Sequence, residues 1–443
     1  MNTDARGNPV GTASDSAREH AERALWRLVS FYDMPLADCD AAIAADPGWL
    51  LPQVMKAGFL TSLTEPAFLA DARAALDAAS PLEAGAPERE RAHLHAAQLA
   101  FAGQWQQAQA VWDGLLLDHP RDLMALQFAH LWDFYRGDAR QLRARPARVL
   151  ADWDDADPLK AHVLAMHAFG LEECHQYPEA EDTGRRALAV EPRAPWAVHA
   201  VAHVMEMQGR FDDGAAWLRA HQPQWAEGNG FAVHLWWHLA LFRLEALDIA
   251  GALRLADAHI DGPAMAVNLE RLDAAALLWR LALLGVDVRE RFARLGAAWP
   301  DGAGESGHYA FNDLHMLIAR LGADDVAGAQ AWLARCNEAA LAQGRCDNQA
   351  MAREVGLPLM RALLAYTRGE HGAAMDALWP LRPVAHRFGG SHAQRDLIDQ
   401  TLIAAAAASR THRAHGRALL NERMISKPAT PLTRHWAQAL GMS

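Results

Sequence analysis

Lysine is nearly absent from this chain of 443 residues, which holds only Lys56, Lys160 and Lys427. Its 42 Lys plus Arg are therefore almost all arginine, and against 54 Asp plus Glu they leave a net charge of -12. A protein that grips phosphate backbones needs clustered cations to displace counterions, so this balance points away from nucleic acid. Cysteine is scarce too. Cys39, Cys174, Cys336 and Cys346 show no CxxC spacing, which excludes a zinc ribbon or dithiol-exchange motif and fits reduced thiols in a cytoplasmic protein. No apolar run reaches the ~18 to 20 residues that cross a bilayer, because Arg, Asp, Glu or His interrupts every Ala-rich stretch. The opening MNTDARGNPVGTASDS lacks the basic start and apolar core of a signal peptide; residues 1–16 are expected to form a disordered tail. Also missing are GxxxxGK[ST], a GxGxxG following a strand, and GxSxG, so nucleotide and serine-hydrolase chemistry have no anchor.

What is present is a normal globular composition, 51% hydrophobic, 22% charged and 8% aromatic, rich in strong helix formers and without period-2 alternation. The chain is expected to be all-α. Prolines add a second rhythm: Pro47, Pro81, Pro120, Pro158 and Pro192 are 34, 39, 38 and 34 residues apart. Each suits the stop of one helix and the start of the next, where a missing N–H costs least. Between them, AGQW (102–105) and MQGRF (207–211) place a glycine where the first helix of a pair would end. This pattern resembles the tetratricopeptide repeat, whose helix pairs recur at about 34 residues and stack into a superhelical solenoid. After Trp225 the prolines lose the beat, but helical segments continue at about 230–246, 249–259, 266–284, 288–298, 307–321, 325–342, 348–367, 371–379, 391–409 and 411–424. Asp301–Gly304 and Arg387–Gly390 read as loops. The expectation is one continuous solenoid over 17–430, followed by a C-terminal segment, 431–443.

More specific words also occur. WAVHAVAHVMEMQGR (196–210), WWHLALF (236–242), FNDLHM (311–316) and GGSHAQRD (389–396) closely resemble the tetratricopeptide repeat protein 38 family, with similarity running from about residue 20 to about 430. That resemblance implies an α-helical repeat fold and brings no settled activity with it.

Twenty-two histidines are about twice the ordinary share, and they gather on helix faces. At 100° per residue, Trp196, His199, His203, Glu206 and Arg210 fall on one stripe. His234, His238 and Glu245 share a face of a second helix, and His308, Asn312 and His315 follow at i, i+4 and i+7, with Asp313 well off that line. A fourth group, His392, Arg395, Asp396 and Asp399, opens a late helix behind Gly389–Gly390, where free helix-start amides would favour an anion. In a tetratricopeptide-like stack the first helix of each pair lines the concave side, so the resemblance aims these stripes into a groove.

An HxxxH pair sets two imidazoles one turn apart, the spacing that holds Zn, Fe or Mn once a carboxylate and another helix complete the set. The strongest divalent-metal set is His199, His203 and Glu206 with His234 or His238 from the next helix. The same spacing also serves hydrogen-bonded packing, and the Glu of HExxH is missing, so a zincin protease has no support. Asp273 and Arg280 share a face and read as structural. Two functions remain open. One is a binding protein that takes a small polar molecule or short peptide against Trp196, His234, His238, His308, Asn312, His392, Arg395 and Asp396. The other is an enzyme for a small anionic substrate that uses His199, His203, Glu206, Asp313 and His315 as acid/base or metal-holding groups. They differ in whether these side chains converge on one point.

Overall fold

The computed structural model describes residues 2–261, 265–302, 304–342, 344, 346–428 and 430–442. A two-residue strand pair, β1 (Asn2–Thr3) and β2 (Pro9–Val10), precedes the helices. The first ten are α1 (Asp15–Ser30), α2 (Leu36–Ala45), α3 (Leu50–Ser62), α4 (Leu69–Ala79), α5 (Glu88–Phe101), α6 (Trp105–Asp118), α7 (Leu123–Tyr135), α8 (Ala139–Val149), α9 (Lys160–Glu173) and α10 (Tyr177–Val190). Then come α11 (Pro195–Met207), α12 (Phe211–Ala220), α13 (Ala232–Glu245), α14 (Ile249–Leu255), α15 (Asn268–Leu283), α16 (Arg289–Ala298), α17 (Ala310–Gly322) and α18 (Val326–Leu341). The last six are α19 (Asp347–Met351), α20 (Leu357–Thr367), α21 (His371–Leu378), α22 (His392–Ala408), α23 (Arg413–Ser426) and α24 (Pro431–Ala439). All five rhythm-setting prolines lie in the connections before α3, α5, α7, α9 and α11. The loop expected at 301–304 includes Ala303, which falls outside the described residues; 379–388, partly expected as loop, is a 3-10 helix.

The chain divides into two compact units, where one continuous solenoid was expected. The first comprises 1–201, 223–231 and 345–347; the second comprises 202–222, 232–344 and 348–443. The boundary falls inside α11.

In the first unit consecutive helices pack as antiparallel pairs, α3 on α4, α5 on α6 and α9 on α10. Its N-terminus differs from the mobile tail expected of it. Arg6 is buried and donates to both oxygens of Glu22 at 2.8 and 2.7 Å, while Asp4 accepts from Arg6 and Asn8 and so ties the β1–β2 turn together. Small polar residues that look disordered by composition are held here by specific partners, which composition does not reveal. Farther in, Asp122 caps α7 and accepts from Arg89 at 2.6 Å and from His93 at 2.8 Å, all buried.

In the second unit α13, α15, α17 and α20 stack in succession as the first helices of their pairs, and α14, α16 and α18 cover them. The first helices are buried nearly all round, whereas α16 buries only Phe292 and Leu295, so the apolar pattern alone separates inner from outer helices. This unit closes on itself: α22 packs on α15, and α24 on α13. Glu245 at the end of α13 accepts from Arg423 at 2.7 Å, Lys427 at 3.2 Å and Thr430 at 2.8 Å, partners 178 to 185 residues away in sequence. Burial alone would raise the Glu245 pKa, but Lys427 and Arg423 outweigh it and hold the carboxylate below its usual range. Leaving one charge of such a buried cluster unpaired costs roughly 3–5 kcal/mol. Gly209 belongs to the same closure. It has φ 69°, and a Cβ there would stand 3.1 Å from Lys427 Cα, so both the backbone angle and the close approach require glycine. The segment 431–443, set apart in sequence, supplies α24 and is part of this unit.

Candidate functional site

The second unit brings polar side chains of α11, α13 and α15 into one row. Glu206 Oε2 lies 2.9 Å from His238 Nδ1; His238 Nε2 lies 3.2 Å from His234 Nε2; His234 Nδ1 lies 2.7 Å from Asp273 Oδ2. His203, from the turn of α11 before Glu206, adds a third ring, its centroid 4.6 Å from that of His238. One nitrogen from each of His203, His234 and His238 lies within 4.8 Å of the other two. His203, His238, Glu206 and Asp273 are buried, and His234 alone keeps part of its ring, 15% of the side chain, open to solvent.

Helical spacing produces half of this arrangement. His234 and His238 are one turn apart on α13, as His203 and Glu206 are on α11, so each pair shares a face. The other half is tertiary: α13 packs against α15, and Asp273 then meets His234.

The charge environment of His238 favours its neutral ring. Burial pushes the His238 pKa well down, and the neighbouring His203, His234 and Arg280 push the same way. Glu206 is raised by burial, against which Lys427 and His203 act. With its Nδ1 facing Glu206, the neutral His238 ring carries its proton on Nδ1 and its lone pair on Nε2. That lone pair faces His234 Nε2 across 3.2 Å. Nitrogens bound to a tetrahedral zinc at about 2.0–2.1 Å stand roughly 3.3–3.4 Å apart, close to that separation.

Arg280, read as structural, is central to the neighbourhood. It donates to the carbonyls of Ala276 at 3.0 Å and Ala393 at 2.6 Å, lies over the Trp237 ring at 5.6 Å, and acts electrostatically on Glu206, His238 and His315. Asp273 is the residue sequence reasoning undervalued. Its signal was a lone acid within the otherwise apolar stretch LDAAALL of a buried helix.

Trp196 and His199 count with the first unit, where their rings pack at 4.9 Å from each other and at 5.0 and 5.3 Å from Phe169. Arg210 lies past the end of α11: it stands at the position just before α12 and pairs with Asp213 at 3.1 Å. His308 precedes α17, so it does not share the helical face drawn through Asn312 and His315. Asn312 is buried on α17. His315 Nδ1 bonds the Phe311 carbonyl at 2.7 Å, and its ring lies 4.5 Å from the Phe311 ring. Asp313 accepts from the Gly307 N–H at 3.1 Å and lies beside Cys336; burial pushes its carboxyl up to about 7.

The start of α22 is not the open anion site expected. Ser391 and Gln394 form a reciprocal cap, with Gln394 N–H donating to the Ser391 hydroxyl and Ser391 N–H donating to Gln394 Oε1 at 3.0 Å. His392 is half-buried at the first position, and the Arg395 guanidinium donates to the Gly390 carbonyl. Asp396 accepts from Arg423 and from Gln400, which places it in the closing cluster with Glu245. Gly389 and Gly390 both have positive φ, and a Cβ on Gly390 would meet the Phe311 ring at 2.4 Å, so this pair serves close packing.

The folded chain is an all-α protein of stacked helix pairs, and among its described residues no helix is long and apolar enough to cross a membrane. No family model matches it. Among solved structures it is similar to a chain of the APC/C hetero-tetramer Cut9–Hcn1, at 11% identity over 96% of this chain and 76% of that one, with TM-score 0.42. It is also similar to a chain of Naa15/Naa10 bound to HypK-THB, at 12% identity over 94% and 70%, with TM-score 0.22.

Proposed function

We propose that the second unit binds a divalent transition metal, Zn, Fe or Mn, on His203, His234 and His238, and that the metal's open position takes a small anionic ligand. The observation that carries this is the 3.2 Å approach of two imidazole Nε2 atoms whose Nδ1 atoms are each held by a buried carboxylate. Carboxylates behind metal-bound histidines fix tautomer and ring direction, so Glu206 becomes an orienting group rather than the ligand expected of it. His234, the one ring with solvent contact, marks the side from which a ligand approaches. A metal held this way acts as a Lewis acid, so turnover of a small anionic substrate is the second reading. On the segments quoted above we also infer membership of the tetratricopeptide repeat protein 38 family, and on the scattered cysteines without CxxC spacing a cytoplasmic setting.

Plasma mass spectrometry of protein purified without a histidine tag tests the proposal, comparing wild type with His203→Ala and with the partly exposed His234→Ala. About one equivalent of Zn, Fe or Mn per chain, lost in both variants, is expected. Folded wild-type protein that neither contains metal nor takes it up overturns the reading and leaves the two rings sharing a proton.

A further inference from the structure

A second polar cleft of the same unit is untouched by the histidine row. Arg219, Arg243 and Arg254 stand in the last turns of α12, α13 and α14, and with Trp236, Leu239 and Gly251 they line a cavity of about 400 Å³. A basic residue in a last turn is ordinarily matched by the partial negative charge of the helix end, about half an elementary charge. Three full guanidinium charges exceed that. The carboxylate beside them, Asp248, lies 3.5 Å from Arg243, and its other oxygen accepts the Gly251 N–H at 2.8 Å. Arg219 and Arg254 are exposed and have no ion-pair partner among the described residues.

In a chain of net charge -12, most of the surface repels anions and this cleft attracts them. Guanidinium forks match the oxygens of phosphate better than any other side chain. Ligand pockets begin at about 300 Å³, so the cavity suits a small molecule and is too small to seat a folded surface. Trp236, its ring stacked on His259 at 3.8 Å, and Leu239 are nearly buried and give the cleft a narrow apolar wall beside the charges. We propose that this cleft binds a small phosphorylated molecule, with the phosphate on Arg219 and Arg254 and the rest of the ligand along Trp236. The site is independent of the metal proposed above.

The test is calorimetric titration of the full chain with pyrophosphate at low salt, alongside tryptophan fluorescence. Saturable one-to-one binding is expected, weakened about tenfold or more in the Arg219→Ala/Arg254→Ala double variant and by added salt. Both side chains are exposed, so the variant's circular dichroism should match wild type. Because pyrophosphate also binds metals, His203→Ala is titrated in parallel and should retain the affinity. No saturable binding, equal binding by the double variant, or loss of binding in His203→Ala each overturns the proposal. So does a phosphoserine peptide that binds more than about tenfold tighter than pyrophosphate, since the ligand would then be a protein segment.

Discussion

His238 and His315 are both buried in the second unit, both sit within fully packed helices, and both belong to a sequence stripe of regularly spaced polar residues. Their surroundings differ in kind. The His238 ring is bonded at both nitrogens to side chains from other turns and helices, Glu206 on one side and His234 on the other. His315 bonds the carbonyl one turn back on its own helix and rests against Phe311. A histidine satisfied by its own helix stabilises the packing and is committed there. One held by a carboxylate from elsewhere has its ring aimed, and its far nitrogen becomes available for chemistry. Spacing alone does not separate the two cases, because i and i+4 geometry is common to both.

The largest effect should come from exchanging the two roles. His238→Ala is expected to abolish metal binding, whereas His315→Ala keeps the metal and loses about 1–3 kcal/mol of stability from its hydrogen bond and ring contact. Metal content and urea unfolding of both variants check this, and equal metal loss in both would erase the distinction. Smaller is the effect of the orienting carboxylates. Glu206→Gln and Asp273→Asn should each weaken metal affinity by about 10- to 100-fold with the fold retained, as measured by competition with a chelating dye. Unchanged affinity would mean the carboxylates only satisfy buried rings.

The smallest effect sharpens the α17 side through pH. Burial lowers His315 and His308 to about 4, from an ordinary 6.5. Their contribution to stability is fully present above about 6.5 and is lost as the pH falls toward 4. Asp313 runs the other way. Burial raises it from 3.8 to about 7, so the folded state binds a proton that the unfolded chain has released, and stability falls as pH rises between those values. Asp313→Asn removes the second slope. Relative to wild type it should be more stable at pH 8 than at pH 5, and a difference independent of pH in denaturant unfolding would show that this carboxyl does not titrate in the fold.

Much of the fold was legible because its signals are local. Proline at a helix start, glycine past a helix end and apolar residues around the inner helices are each dictated by backbone sterics or burial within a few residues. The post-225 segments coincide with α13 to α23 for the same reason, with 348–367 divided by a π-helical stretch at Ala352–Gly356. The N-terminal hairpin and the capped start of α22 were misread where composition stood in for partners: Arg6 needed Glu22, and the amides at Ser391 needed Gln394.

By itself the sequence determined the helices, their pairing, and which residue types would meet along single faces, because a helix repeats every 3.6 residues whatever surrounds it. Only the tertiary structure decided that α15 would lay Asp273 against His234, and that residues 423–430 would close on Glu245. Those meetings depend on how whole helices pack, over separations of 39 and 178 to 185 residues that no local pattern encodes.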